Sequence, residues 1–332
     1  MHWNLYGHDA AVTLLQQHTL PDAMRHAYLI TGPQGVGRRS LALAFAKALN
    51  CQNPPEQGHF CGECLPCRQI DAQAFADLAI IEAEPGKDLK IDQIRNMQQS
   101  LALKPYQSRY RIVLILDFQK ATPSASNALL KSLEEPPAHA VIILTADAAE
   151  SLLETIVSRC ELIRLRPASL ETSLEALQGL GLGVEEAARL AHLSGGRLGL
   201  ARRLQEDDGL LAERMEALDH LFELLPLKRR ERLQWSEAYL RQKASPRDLV
   251  GALLPVWLTF WRDVLIQASG ADLPLVNLDQ AKEIRAVASQ MQADEILPIL
   301  QAHEAALGQV EAYVNPRLLL ENLLLQAPLL RF

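Results

Sequence analysis

A glycine-rich turn near the amino terminus has the composition and spacing of a phosphate-binding loop. Gly32, Gly35 and Gly37 follow a short apolar segment at residues 27–30 and precede a helical pattern at residues 40–49. Such a turn can direct several backbone N–H groups at one anion, and the dipole of the following helix adds to the attraction. The sequence therefore indicates a site for a nucleotide or another phosphate group.

Two positions of this loop differ from the G-x-x-x-x-G-K-[ST] pattern of proteins that use ATP. Arg38 occupies the lysine position and Arg39 the hydroxyl position. A guanidinium is larger than an ammonium and differently oriented, and it offers magnesium no oxygen ligand. Ser40 has a hydroxyl group, but it stands one residue late, about 100° further around a helix. The loop is compatible with weak binding of a nucleotide or phosphate, and ATP hydrolysis is not expected.

The strand that would carry the metal-binding acids also differs from that of an ATPase. The apolar segment at residues 111–116 is followed by Asp117 and then by Phe118. ATPases of this class have Asp-Glu here, and the glutamate polarises the attacking water. An aromatic ring cannot do so, which is a second reason to expect no hydrolysis.

Four of the five cysteines, Cys51, Cys61, Cys64 and Cys67, lie close together in the sequence. Their C-x9-C-x2-C-x2-C spacing, with prolines and glycines between them, predicts a tetrahedral zinc site that holds one ion per chain. Four thiolates leave no open coordination position, so the predicted role is structural. An iron–sulfur cluster and disulfides are the alternatives. His59 lies in the same segment and could compete as a ligand.

Arg159, within Ser158-Arg159-Cys160, follows the last apolar strand segment. An arginine at a helix end is commonly a carbonyl cap or one partner of a surface ion pair. A fixed guanidinium can also serve as an arginine finger, which stabilises charge on the γ-phosphate of a neighbouring subunit. The tripeptide alone leaves both interpretations open.

The elements that must position these residues alternate between strand and helix in the first half of the chain. Continuous apolar segments at 27–30, 78–82, 111–116 and 141–145 are separated by helical patterns. This order predicts an α/β fold with a parallel sheet covered by helices on both faces. Beyond residue 165 the sequence is helical, with glycine breaks up to about residue 203. We expect three domains: an α/β module at 1–165 with the zinc insert at 51–67, a small helical domain at 166–207, and an all-helical domain at 208–332.

Composition limits the function further. A net charge of -7 argues against general DNA coating, because that role needs a surplus of Lys and Arg to displace counterions from phosphates. The densest basic run, residues 228–232, is better interpreted as a solvated helix face than as a DNA contact. No secretory signal or membrane span is predicted. We therefore expect a soluble cytoplasmic protein with reduced cysteines, which argues against disulfides.

These features together resemble the delta-prime subunits of bacterial DNA polymerase III, which belong to the AAA+ clamp-loader family. The resemblance is carried by HAYLITG at residues 26–32, the four-cysteine insert, NALLKSLEEPP at residues 127–137 and the Ser-Arg-Cys tripeptide. It is firm over residues 1–165 and extends to Ser194-Gly195-Gly196-Arg197. In the remaining helical part, the resemblance rests only on the length of the segment and on its all-helical class.

The resemblance implies an AAA+ module of the RecA-like kind, a helical lid and a helical collar that packs subunits into a five-membered ring. It implies the delta and gamma or tau subunits as partners, and through them the sliding clamp and primer-template DNA. The chain would be a rigid stator that does not hydrolyse ATP. Arg159 would be the finger that acts in trans on the adjacent ATP-binding subunit. Where active members are expected to have Asn after Thr145, this chain has Ala146-Asp147, a third loss.

Three other functions were weighed against this one. An active ATPase of the gamma or tau type shares the cysteine insert and the tripeptide, but it would need Arg38 to replace lysine and another acid to replace Phe118. A phosphate-loop kinase also needs the lysine, and it leaves the cysteines unexplained. A zinc-dependent nucleic-acid-binding module conflicts with the acidic net charge.

Overall fold

The computed structural model describes residues 3–84, 86–241, 245–311 and 314–330. The chain divides into two compact units. The first comprises Met1–Gly181 and Gly196–Leu200, and the second comprises Leu182–Gly195 and Ala201–Phe332. The three-domain division at residues 165 and 207 remains a prediction.

A five-stranded parallel sheet forms the centre of the first unit. Its strands are β1 (Ala27–Thr31), β2 (Leu78–Ile81), β3 (Arg111–Ile115), β4 (Ala140–Ala146) and β5 (Glu161–Arg164), in the order β2-β3-β4-β1-β5. The first four correspond to the predicted apolar segments. Strand β5 was not predicted, because it is an edge strand that begins and ends with charged residues and so lacks a continuous apolar run.

Helices cover both faces of this sheet. They are α1 (Asp9–Gln17), α2 (Arg38–Asn50), α3 (Leu65–Asp71), α4 (Ile91–Leu101), α5 (Pro123–Glu134) and α6 (Glu154–Val157), and α7 (Leu170–Gly179) follows β5 in the same unit. Within β1, Tyr28 and Ile30 join the apolar core on the face that includes Phe45 of α2. Leu29 joins the core on the opposite face with Leu129 of α5. The predicted α/β module with a doubly covered parallel sheet is therefore confirmed.

The second unit is helical in its described residues. Its helices are α8 (Val184–Ser194), α9 (Leu198–Glu206, which begins in the first unit), α10 (Asp208–Leu224), α11 (Arg229–Leu240), α12 (Pro246–Ser269), α13 (Ala281–Ala288), α14 (Ala293–Glu311) and α15 (Pro316–Gln326). Trp257 and Trp261 lie one helical turn apart on α12 and are fully buried in its core. Among the described helices none has the length and apolarity that a membrane span requires.

A buried arginine joins two helix ends in this unit. The side chain of Arg232 is 2% exposed. It donates hydrogen bonds to the carbonyl oxygens of Leu224, Leu225, Leu324, Ala327 and Pro328, at the carboxyl ends of α10 and α15. These carbonyls carry the negative end of each helix dipole, so they suit a cation. The prediction of a solvated face at residues 228–232 is therefore wrong for Arg232, although Lys228, Arg229 and Arg230 are exposed.

Candidate functional site

The glycine-rich loop connects β1 to α2 and requires glycine for its shape. Gly32, Gly35 and Gly37 have φ angles of 148°, 83° and 114°, which side chains of L-residues rarely permit. A Cβ atom at Gly32 would lie 2.6 Å from the carbonyl oxygen of Leu165, and one at Gly35 would lie 3.0 Å from the backbone N of Leu200. The structure thus has a tight glycine turn that leads into a helix N-terminus, as predicted.

Arg38, at the lysine position of the loop, is engaged by two carboxylates of the same chain. Its side chain is only 8% exposed, and Nη2 donates a 3.0 Å hydrogen bond to Oδ1 of Asp117. Nη1 lies 2.8 Å from Oδ1 of Asp147, an ion pair without hydrogen-bond alignment. Asp117 follows β3 and Asp147 follows β4. Since parallel strands end at the same sheet edge, the fold brings both acids to the start of α2.

Further contacts hold the two acids in place. Asp117 adopts left-handed backbone angles, φ 50° and ψ 53°, and its N–H donates to Oγ1 of buried Thr145 at 2.9 Å. Lys120 Nζ lies 3.4 Å from Asp117 Oδ2, and Gln119 Nε2 donates to Asp147 Oδ2 at 2.8 Å. Both carboxylates therefore already have protein partners. The formal charges of Arg38 and Lys120 offset those of the two acids.

The other residues predicted for this site lie elsewhere. Phe118 is 1% exposed and packs in the apolar core beneath the sheet. Arg39 points to a separate set of partners, because its Nη2 donates to Gln73 Oε1 at 2.7 Å and its Nη1 lies 3.9 Å from Glu82. The structure therefore joins Arg38, but not Arg39, to the acids. In the sequence, Asp117 is the acid expected after its strand and Asp147 is a departure from the expected asparagine; their contact with Arg38 was not predicted.

The four predicted cysteines form one compact cluster. Cys51 caps the end of α2, Cys61 and Cys64 stand in a turn, and Cys67 lies in α3 with no exposed surface. All four Sγ atoms lie within 4.8 Å of one another. The Sγ atom of Cys51 is 3.6 Å from that of Cys61 and 3.9 Å from that of Cys64. Tetrahedral ligands at a Zn–S distance of about 2.3 Å stand about 3.8 Å apart, so the arrangement suits such an ion.

Backbone groups of the cluster favour bound thiolates. The N–H of Cys61 donates to Sγ of Cys51, and the N–H of Cys64 donates to Sγ of Cys61, both at 3.3 Å. The N–H groups of Cys64 and then Glu63 lower the pKa of Cys61 to about 6. Burial raises the pKa of Cys51 and Cys67. A metal ion would offset that cost of burial by stabilising the thiolate forms.

The structure argues against a disulfide between Cys51 and Cys61 and against His59 as a ligand. The sulfur atoms of Cys51 and Cys61 are separated by far more than the roughly 2.05 Å of a disulfide. His59 stands outside the cluster, and its Nε2 is 3.2 Å from Nε2 of Gln16. The insert itself is held by Trp3, whose Nε1 donates to the carbonyl oxygen of Gly58 at 3.1 Å.

Arg159 lies just after α6 at the surface of the first unit, with a side chain that is 36% exposed. Its Nη1 donates to the carbonyl oxygen of Thr155 at 2.9 Å, and its Nη2 lies 2.8 Å from Oε1 of Glu134. Glu134 ends α5, within the NALLKSLEEPP segment. Because both groups of this ion pair are partly exposed, it stabilises the bound position by only about 0.2–1 kcal/mol. The guanidinium can therefore exchange this partner for another anion.

Comparisons with known proteins match the chain to subunits of bacterial DNA polymerase III. The family model described as "DNA polymerase III, delta subunit" matches residues 7–169, and the model for the C-terminal part of that subunit matches residues 209–327. DNA polymerase III subunit delta' of Haemophilus influenzae is 32% identical, over 65% of this chain and 69% of that protein. Subunit delta' of Bacillus subtilis is 26% identical, over 94% of this chain and 93% of that protein.

Other matches are partial or distant. DNA polymerase III subunit tau of Bacillus subtilis is 34% identical over 48% of this chain. The chain spans 28% of the length of that tau subunit and 48% of the length of a Buchnera aphidicola gamma subunit. A gamma-subunit-related protein from Thermotoga maritima, a solved structure, aligns with a TM-score of 0.41 at 21% identity, over 94% of this chain and 97% of that one.

Proposed function

Because the chain belongs to the family of bacterial DNA polymerase III delta' subunits, we propose that it is a clamp-loader subunit that does not hydrolyse ATP. In this role it is a rigid stator in a five-membered ring, with the delta and gamma or tau subunits as its partners. Through them it acts on the sliding clamp and primer-template DNA in the cytoplasm. The lid at 166–207 and the collar at 208–332 complete the proposed organisation.

The observation that carries the non-hydrolysing role is the set of contacts that Arg38 makes with Asp117 and Asp147. A working site needs a cation for the phosphates and a carboxylate for magnesium. Here the cation and the carboxylates are paired with each other, so bound Mg-ATP would have to separate them. Phe118, at the position of the water-polarising acid, is buried in the core.

Calorimetric titration of the isolated chain with Mg-ATP, together with a phosphate-release assay, tests this role. We expect no phosphate release and at most weak binding. A metal-dependent turnover that Asp117→Asn abolished would favour an active ATPase of the gamma or tau type instead. That control matters because it separates turnover by this chain from turnover by a contaminant.

The proposed role of Arg159 is to contact the γ-phosphate bound by the adjacent gamma or tau subunit. Its support is a partly exposed position and a weak ion pair with Glu134, both of which let the guanidinium change partners. In the reconstituted complex we expect Arg159→Ala to leave assembly intact and to slow DNA-stimulated ATP hydrolysis several-fold, with the other ATP sites still active. Arg166→Ala, at another exposed arginine, is the matched control. An unchanged rate with Arg159→Ala would refute the finger.

The proposed cofactor of the cysteine cluster is one structural zinc ion, held by Cys51, Cys61, Cys64 and Cys67. Its support is the short distance between the sulfur atoms. A [4Fe–4S] cluster would place four irons between the thiolates and force them further apart. Metal analysis of the purified, reduced chain should give about one zinc per chain. A folded chain that contained iron, or no metal, would contradict the assignment.

A further inference from the structure

The loop between α4 and β3 is held rigidly, although its tip lies in water. Asp77, which is 1% exposed, accepts hydrogen bonds from the N–H groups of Tyr106 and Gln107 at 2.7 and 2.9 Å and from the hydroxyl of Ser108 at 2.7 Å. Buried Asn50 pairs with both the N–H and the carbonyl of Tyr110 at 3.1 Å. Two buried polar side chains therefore fix the loop backbone at both ends of its tip.

The fixed loop presents an aromatic ring to solvent. The side chain of Tyr106 is 82% exposed, and that of Leu103 is 60% exposed. An exposed aromatic ring on a rigid backbone loses little conformational entropy when a partner covers it. Nothing in the packing of the first unit requires a tyrosine here, since the hydrogen bonds that fix the loop come from the backbone at Tyr106.

Positive charge accompanies this ring. Residues 102–110 contain Lys104 and Arg109 and no acidic residue. The Arg109 guanidinium lies 5.2 Å from the centre of the Tyr110 ring, which favours one orientation of the arginine by a cation–π contact. The segment therefore has a local charge of opposite sign to the net charge of the chain, and it complements an anionic partner.

A cleft of about 300 Å³ lies beside the loop, between it and the cysteine insert. Amide side chains of Asn50, Gln52, Gln57 and Gln107 line it together with His59 and Arg109. None of the described residues that line it is acidic. Its volume falls at the lower end of the range for sites of small ligands, which is the size of one nucleotide unit. The amide of Asn50 is already paired with the backbone of Tyr110, but the amides of Gln52 and Gln57 can both donate to and accept from base edges.

We propose that this loop binds single-stranded DNA, with a base stacked on Tyr106, phosphates near Lys104 and Arg109, and an adjoining nucleotide in the cleft, to which the loop contributes Gln107, Ser108 and Arg109. Stacking platforms flanked by cations are the usual way in which proteins hold single strands. An acidic peptide would share the charge, but acidic motifs are recognised by clusters of arginines, and among the described residues that line this cleft Arg109 is the one arginine. This site is additional to the proposed stator role, and all of its residues are in this one chain.

Fluorescence anisotropy with a labelled oligo(dT) of about 10 nucleotides tests the site on the full-length, metal-loaded chain. We expect binding at low salt with a slope of log K against log salt near about -1.4, since two phosphates are contacted. Tyr106→Ala should weaken binding about 5- to 100-fold, and Tyr106→Phe should not. Arg109→Ala should bring the slope to about -0.7. A duplex of the same length should bind more weakly, because its bases cannot stack on the ring.

The controls separate this site from nonspecific attraction and from unfolding. Arg230→Ala removes an exposed cation in the second unit and should change neither affinity nor slope. The thermal midpoint of Tyr106→Ala should match that of the wild type, because the ring is exposed. The proposal is overturned if the wild type shows no binding up to about 3 × 10⁻⁴ M, or if Tyr106→Ala binds as well as the wild type. Equal binding of a glutamate-rich peptide would indicate a protein partner instead.

Discussion

Replacement of Arg38 tests whether this side chain stabilises the fold or only occupies a nucleotide site that is not used. Arg38→Met removes the charge and keeps most of the length of the side chain. The lost hydrogen bond to Asp117 joins two charged groups, and a hydrogen bond of this kind contributes about 1.5–3 kcal/mol to stability. The pair with Asp147 lacks hydrogen-bond alignment and is partly exposed, so it adds about 0.2–1 kcal/mol. We expect the local free energy of opening to fall by about 2–4 kcal/mol in total.

Hydrogen exchange measured on peptides from β1 and α2 is the appropriate assay. The chain has two compact units, so one global free energy of unfolding is not well defined, whereas exchange reports local opening. Double-mutant cycles of Arg38→Met with Asp117→Asn and with Asp147→Asn give the two couplings. The coupling to Asp117 should be the larger. An exchange pattern unchanged by Arg38→Met, or a larger coupling to Asp147, would refute the reasoning.

The same position tests the loss of hydrolysis. Arg38→Lys restores the lysine of the phosphate loop but leaves Phe118 in the core. We therefore expect Arg38→Lys to release no phosphate from Mg-ATP. Turnover by Arg38→Lys would mean that the lysine alone was missing and that the aromatic residue is no obstacle.

Three further predictions concern the stability of the fold. Arg232→Met should destabilise the second unit by about 3–5 kcal/mol, because three buried and two partly buried carbonyl groups lose a charged donor; a thermal melt followed by tryptophan fluorescence should show this, while Arg230→Met shifts it little. Burial raises the pKa of Asp77, but hydrogen bonds from the N–H groups of Gln107 and then Tyr106 outweigh it and leave the pKa below its usual value of 3.8. The contribution of the ionised Asp77 carboxylate to stability is therefore present above about pH 4 and is lost as the pH falls through the lowered pKa. We expect Asp77→Asn to flatten the dependence of the urea midpoint on pH between about pH 2 and pH 5. Cys64→Ser should lower the bound zinc well below one ion per chain, and an unchanged metal content would contradict the proposed ligand set.

The sequence predicts the parts of this molecule that depend on neighbours along the chain. Strands β1, β3 and β4 appear as continuous apolar runs, because both of their faces are buried. The cysteine cluster appears because its four ligands lie between residues 51 and 67. Strand β5 has no such run, because it lies at the sheet edge, and its location depends on pairing with β1.

Contacts between residues that are distant along the chain could not be predicted from the sequence. Arg38, Asp117 and Asp147 meet only because β3 and β4 lie side by side and end near the start of α2. The sequence did contain a signal for this contact, since Arg38 at the lysine position accompanies Asp147 at the expected asparagine position. Arg232 gave no such signal, because a buried arginine and an exposed one look alike in a basic run.

Helix α2 is anchored at its two ends by unrelated chemistry. Its first residue, Arg38, is paired with the acids after β3 and β4, and its C-cap residue, Cys51, belongs to the sulfur cluster. At 13 residues the helix is about 20 Å long. If the cluster holds the proposed zinc ion, loss of that ion would release the contacts at the carboxyl end, and the ion pairs of Arg38 would still hold the amino end to the sheet. Because Leu41 and Phe45 of α2 are also buried in the core with β1, loss of one anchor should loosen one end of the helix without releasing it from the sheet.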